Sequence, residues 1–207
     1  MLRKQKAILF VVPALALVLE PGHGTPIHAQ DVDKTKVLKV EAAYLYNFAR
    51  FVQWPKRAFA DKNAPFVIGV LGEDPFGRIL DDTVRSKTVA GRGVTVRRFW
   101  WLRERDRAAL KDCHVLYISR SEQHRLGEIV AALENVPVLV VSAMDAFARK
   151  GGMIGFVLDQ GRIVFEINRS ALLSARLKAS SKLLRLARLV DGKGRKETRQ
   201  RGSHRRP

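Results

Sequence analysis

The run 136–142 is almost wholly apolar, and it constrains the fold more than any other feature of this chain. A strand of this kind has no polar face to turn towards water, so other layers must cover it on both sides. Further candidate strands lie at 66–71, 94–99 and 113–119. The sequence therefore predicts an α/β domain built around a buried sheet.

Helical segments are predicted between these strands. The first carries its apolar residues at the spacing of one helix face, namely Val37, Val40, Tyr44, Phe48, Phe51 and Val52. It should end at Trp54, because Pro55 disfavours helical backbone geometry in the residue before it. The turn 72–77 opens a second, short helix, and 123–133 has the pattern of another.

The carboxyl-terminal part has the pattern of a β-hairpin followed by a helix. Runs at 153–159 and 162–168 are joined by Asp159-Gln160-Gly161-Arg162, which has the chemistry of a tight turn. A helix is predicted from about Ser170 to Val190, with Ser170 as its cap. We therefore predict a single α/β domain over 30–190, with a mixed sheet of about six strands and helices on both faces.

The two ends of the chain differ from this domain in composition. Residues 1–29 begin with basic residues, continue with the apolar run 7–19 and end in Ile27-His28-Ala29. This pattern predicts an export signal cleaved after Ala29, with an uncleaved anchor as the alternative. Residues 191–207 are rich in Gly and Arg and poor in apolar residues, which predicts a disordered basic tail.

The formal net charge of +18 predicts an acidic partner. Nucleic acid, anionic lipid and an acidic protein surface all satisfy that condition. Export of the chain argues against nucleic acid, which would require that the run 7–19 not act as a signal, whereas the basic tail is suited to peripheral contact with anionic lipid.

The common catalytic and metal-binding patterns do not occur in the sequence. Cys113 and His114 are neighbours in a predicted strand, so their side chains should point to opposite faces and not form a catalytic pair. As the only cysteine, Cys113 has no intrachain disulfide partner, and we predict a buried, inert thiol. The histidines do not cluster. We predict no enzyme, no catalytic residue, no metal site and no cofactor.

Two groups of residues are candidates for partner binding. Arg162, Glu166 and Asn168 share one strand face of the hairpin, where they either contact a partner or form an exposed face with an Arg–Glu pair. The predicted last helix carries a basic stripe of Lys178, Lys182, Arg185 and Arg188, which is either a solvated face or a second contact. A third possibility is a small-ligand pocket beside the turn 72–77, at the carboxyl end of a strand.

Several strings in the chain resemble the YfiR family. They are EAAYLYNF at 41–48, FVQWP at 51–55, GGMIGF at 151–156, RIVFEIN at 162–168 and LKASSKLL at 177–184. Together with the elements between them, they extend the resemblance over residues 33–190.

The resemblance implies a periplasmic α/β protein, often dimeric, that represses an inner-membrane diguanylate cyclase of the YfiN type. Repression lowers cyclic di-GMP and biofilm formation, and an outer-membrane lipoprotein of the YfiB type can sequester the repressor. Relatives use cysteine pairs, one of which would involve the position of Cys113, but this chain has no second cysteine. The alternative function is a periplasmic small-ligand sensor that acts on another membrane receptor, such as a histidine kinase.

Overall fold

Strands and helices alternate throughout the computed structural model, which describes residues 29–100 and 104–191. The strands are β1 (Val52–Gln53), β2 (Phe66–Leu71), β3 (Thr88–Val89), β4 (Arg92–Phe99), β5 (Val115–Ile118), β6 (Leu139–Ser142), β7 (Ile154–Asp159), β8 (Arg162–Asn168), β9 (Lys178–Ala179) and β10 (Arg188–Val190). The α-helices are α1 (Ala29–Phe51), α2 (Arg78–Val84), α3 (Glu104–Leu110), α4 (Leu126–Ala132), α5 (Arg169–Ser174) and α6 (Ser181–Leu186). The predicted export signal, except Ala29, and the predicted tail beyond Asp191 lie outside the described residues.

One 8-stranded mixed sheet, in the order β10-β8-β7-β6-β5-β2-β4-β3, confirms the predicted α/β class. The pairs from β7 through β6, β5 and β2 to β4 are parallel, and β7 and β8 form the predicted antiparallel hairpin. β1 and β9 make a separate antiparallel pair. The six predicted strands are β2 and β4 to β8, and the additional ones are the short strands β1, β3, β9 and β10.

The strand order reverses at β2. After β2, the chain places β4 on one side of it and then β5, β6 and β7 in succession on the other. The carboxyl ends of β2 and β5 therefore flank a topological switch point, the position at which open α/β sheets bind ligands.

The continuous apolar runs of the sequence form the core of the domain. Every residue of β2, β5 and β6 is buried, as expected for interior strands of a covered sheet. The predicted first helix is present as α1, which packs on the hairpin, but it ends at Phe51 and not at Trp54, because Val52 and Gln53 pair with β9. At the hairpin, the Phe48 ring centroid lies 5.1 Å from that of Phe165 and 5.8 Å from that of Phe156.

The single helix predicted over 170–190 is wrong, because this segment forms two short helices and two short strands. β9 pairs with β1, and Ser180 N–H donates to the Phe51 carbonyl, which removes this part of the chain from a helix. β10 then joins the large sheet beside β8. The pairing of backbone groups with distant strands outweighs the local helical spacing of the leucines.

Candidate functional site

The hairpin residues singled out in the sequence lie in unlike environments. Arg162 is exposed, whereas Glu166 is 7% exposed and Asn168 is 2% exposed. Glu166 accepts hydrogen bonds from the Arg149 guanidinium, at 2.7 and 3.2 Å, so its ion pair is with Arg149 and not with Arg162. The exposed or edge face considered for this row is observed only at Arg162, because β10 pairs with Glu166 and Asn168 but not with the first half of β8.

Asn168 organises the turn between the hairpin and α5. Its Oδ1 accepts from the Ala171 backbone N–H at 3.1 Å and from the Ser170 hydroxyl at 2.8 Å. Its Nδ2 donates to the buried Ala148 carbonyl at 3.0 Å. Asn168, and not the predicted Ser170, is therefore the N-cap of α5.

We expect Asn168→Ala to lower the free energy of unfolding by about 2–4 kcal/mol. The change removes a helix cap, which contributes about 1 kcal/mol, and leaves the Ala148 carbonyl without its bond, at about 1–3 kcal/mol. Urea denaturation measures this loss. Ser170→Ala is the matched control, with an expected change within about 0.5 kcal/mol. Equal losses in the two variants would show that Asn168 is not the dominant cap.

The predicted basic stripe is distributed over three elements and not along one helix. Lys178 lies in β9, Lys182 and Arg185 lie three residues apart on α6, and all three are exposed. Arg188 lies in β10 and forms an ion pair with Asp159 of the hairpin. Only Lys182 and Arg185 therefore share one helix face.

Apolar side chains accompany these cations. Leu186 is 67% exposed and Leu189 is 51% exposed. A cleft of about 370 Å³, here named the α1–α6 cleft, is lined by Tyr44, Asn47, Arg50, Phe51, Phe165, Lys182, Leu183 and Leu186. The Lys182 ammonium and the Arg50 guanidinium lie 5.2 and 5.7 Å from the Phe51 ring centroid. Aromatic side chains with an arginine at the rim are typical of protein-binding surfaces.

A larger cavity, of about 630 Å³, lies at the topological switch point and is named the switch-point cavity. Pro75 of the turn 72–77, together with Tyr117, Ser119 and Arg120 at and after the end of β5, contributes to its wall. The first half of α1 and the hairpin line its other side with Val37, Leu38, Phe156, Leu158 and Ile163. Its position and size are those of a small-molecule site.

Glu41 of α1 lines this cavity, and the sequence analysis did not identify it as a site residue. It is 4% exposed, and within the described part of the chain its carboxylate makes no hydrogen bond or ion pair. Burial raises the pKa of Glu41 from 4.5 to about 7, and the positive charge of Arg120 opposes this rise. The available signal was a carboxylate among apolar neighbours on one helix face, three residues after Leu38 and four before Leu45.

Cys113 and His114 are both buried and have packing partners. Burial raises the pKa of the Cys113 thiol to about 12 and lowers the pKa of His114 to about 4. The His114 ring stacks against both Phe59 and Phe66, at 4.5 and 4.6 Å between ring centroids, and its Nδ1 accepts from the Val67 N–H at 3.1 Å. A protonated thiol and a neutral imidazole are not the ionised pair of a cysteine nucleophile.

Comparison with known proteins identifies the family of this chain. Within residues 29–100 and 104–191, no helix has both the length and the hydrophobicity of a membrane span. The comparison with curated proteins gave no match. A family model described as YfiR/HmsC-like matches residues 38–188, from α1 to β10. Proteins of that family are periplasmic, non-catalytic regulators of cyclic di-GMP signalling that act with diguanylate cyclases. Because the match spans most of the chain, this protein belongs to the YfiR/HmsC-like family.

Proposed function

We propose that this protein is an exported repressor that binds the periplasmic sensor domain of an inner-membrane diguanylate cyclase of the YfiN type. Repression would lower cyclic di-GMP and biofilm formation. The family match over residues 38–188 carries the proposal. The export pattern of residues 1–29 supports it, because that pattern directs the domain to the compartment of the sensor.

The proposed contact is the α1–α6 cleft together with the exposed cations beside it. Its apolar floor can accept a partner side chain, while Lys182 and Arg185 attract acidic groups around that side chain. Arg162 and Lys178, both exposed, extend the contact. Glu166 and Asn168 serve it indirectly, because their buried hydrogen bonds hold the end of β8 and the start of α5.

Repression by binding requires a preference between two states of the sensor. A repressor that binds the inactive state a hundredfold better than the active state shifts their ratio by that factor, about 2.7 kcal/mol. A YfiB-type lipoprotein would relieve repression by occupying the same cleft. A homodimer would present the cleft twice and strengthen binding to a dimeric sensor.

Deleting the gene is expected to raise cellular cyclic di-GMP, because the cyclase loses its repressor. The full chain should restore the low level, whereas a chain lacking residues 1–29 should not, because it stays in the cytoplasm. Quantification of cyclic di-GMP and cell fractionation test this result. An unchanged level, with the full chain located in the periplasm, would contradict cyclase repression and favour another receptor, such as a histidine kinase.

The double variant Lys182→Glu/Arg185→Glu is expected to weaken binding to the purified sensor domain by at least about tenfold, or 1.4 kcal/mol. Its affinity should also depend less on salt, since fewer opposite charges meet. Isothermal titration calorimetry at two salt concentrations measures both effects. The double variant Arg78→Glu/Lys150→Glu is the matched control, since it changes the net charge equally at exposed positions outside the cleft. Equal affinity of the two double variants would remove the cleft from the interface.

A further inference from the structure

The switch-point cavity is separate from the surface proposed for the protein partner. It opens at the carboxyl ends of β2 and β5, whereas the α1–α6 cleft lies between α1 and the last helix. The two sets of lining residues have no member in common. A ligand in this cavity would therefore occupy a site of its own.

The chemistry of the cavity centres on Glu41. Glu41 is only 4% exposed, and a carboxylate on so buried a residue ordinarily has a cation or several N–H donors as partners, because an isolated buried charge is costly. Glu41 has neither within the described part of the chain, yet it borders about 630 Å³ of open space. The cavity therefore has space for a ligand group that could pair with the Glu41 carboxylate.

The other charges at the cavity decide the sign of that partner. Arg120, at the start of the 3-10 helix Arg120–Arg125, donates to Asp145 at 3.2 Å, and its charge lowers the pKa of Glu41 without forming an ion pair with it. Lys34 of α1 lines the cavity but is itself exposed. An anionic ligand would be repelled by the unpaired carboxylate of Glu41, whereas a cationic ligand would be attracted to it and would neutralise its charge.

Another part of the wall is apolar, which favours a ligand with a hydrocarbon body. Val37 and Leu38 of α1 face Phe156, Leu158 and Ile163 of the hairpin across the cavity. Leu158 is 65% exposed, which leaves apolar surface for a ligand to cover. Burial of hydrocarbon against these side chains would supply most of the binding free energy, and Glu41 would fix the orientation.

We propose that the switch-point cavity binds a small organic cation, with its apolar body against α1 and the hairpin and its protonated amine paired with Glu41. Such a ligand would bridge the first helix and the hairpin, the two elements that also border the α1–α6 cleft. This inference goes beyond repression, since neither the ligand nor the site is needed for a complex between two proteins.

Three probes with the same skeleton and different head groups test the proposal: 2-phenylethylamine, 2-phenylethanol and phenylacetate. At pH 8 we expect the amine to bind at least tenfold more tightly than the alcohol or the acid. In Glu41→Gln the amine should lose at least tenfold in affinity, while the alcohol should be nearly unaffected. Asp145→Asn is the matched control, since it removes a second carboxylate that lines the cavity, and the preference for the amine should persist.

Proton release gives a second readout that is specific to Glu41. At pH 6 binding of the amine should release a proton, because the free carboxyl is largely protonated, and at pH 8 it should release little. Calorimetry in buffers of different ionisation enthalpy counts these protons. Among the residues whose side chains the structure describes, the other titratable groups at the cavity are Tyr117, Arg120, Lys34 and Asp145, and Glu41→Gln separates their contribution.

Equal affinities for the three probes, tighter binding of the acid, or no binding of the amine at millimolar concentration would each overturn the proposal. So would an amine preference that persists in Glu41→Gln. None of these results bears on cyclase repression, which is measured by cyclic di-GMP in cells, so the two proposals can fail independently.

Discussion

Phe48→Ala is expected to lower the free energy of unfolding by about 3–5 kcal/mol. The Phe48 side chain is fully buried between α1 and the hairpin, and its ring contacts those of Tyr44, Phe156 and Phe165. Truncation leaves a cavity that these three aromatic rings cannot close without leaving their own contacts. Urea denaturation followed by circular dichroism measures the loss.

Val40→Ala is the control for this prediction, because Val40 lies on the same helix and is 41% exposed. We expect it to change the free energy of unfolding by no more than about 0.5 kcal/mol. A small effect of Phe48→Ala, similar to that of the control, would mean that α1 is not anchored through this aromatic cluster. The α1–α6 cleft would then lack a fixed wall, since α1 supplies Tyr44, Asn47, Arg50 and Phe51 to it.

The strands of the sheet were predictable because their signals are local. Continuous apolar runs require burial on both faces, and they became β2, β5 and β6. The hairpin followed from two runs and a turn containing Gly161, which adopts the positive φ that the turn needs. In these cases neighbouring residues alone determine the backbone.

The C-terminal segment was not predictable in this way. Its leucines and basic residues recur at helical spacing, but Lys178 and Ala179 pair with Gln53 and Val52, more than a hundred residues earlier. Ser180 then caps α6 by accepting from the Leu183 N–H. A partner strand so distant in sequence leaves no trace in the local pattern.

Sequence reasoning located the site in part. The turn 72–77 does border the switch-point cavity, through Pro75, and this followed from its place after β2. The burial of Glu166 and Asn168 depends on Arg149 and Ala148, which precede the hairpin and reach it only in the folded chain. The sequence places Glu41 among the apolar residues of the first helix, but only the folded structure shows the cavity beside it.

Glu41→Gln is expected to change the pH dependence of stability. In the wild-type protein the pKa of Glu41 is about 7 when folded and 4.5 when unfolded. Between these values the folded state keeps a proton that the unfolded state releases, so Glu41 lowers stability as pH rises. The difference corresponds to about 3 kcal/mol, fully present above pH 7. Relative to the wild type, the glutamine variant should therefore gain this amount between pH 4.5 and pH 8.

His114 acts in the opposite direction over nearly the same range. Its pKa is about 4 when folded, lowered by burial from 6.5, so the unfolded state binds a proton that the folded state does not, and stability rises with pH. In the wild type the two residues offset one another between pH 4.5 and pH 6.5. Glu41→Gln removes the opposing contribution, and its stability should rise across this range by about 3 kcal/mol. Urea denaturation at a series of pH values measures both curves, and parallel curves for the two proteins would contradict the buried, unpaired state of Glu41. The same free-energy cost of ionised Glu41 is what a bound amine would offset, so the amine should stabilise the wild type more at pH 8 than it stabilises the variant.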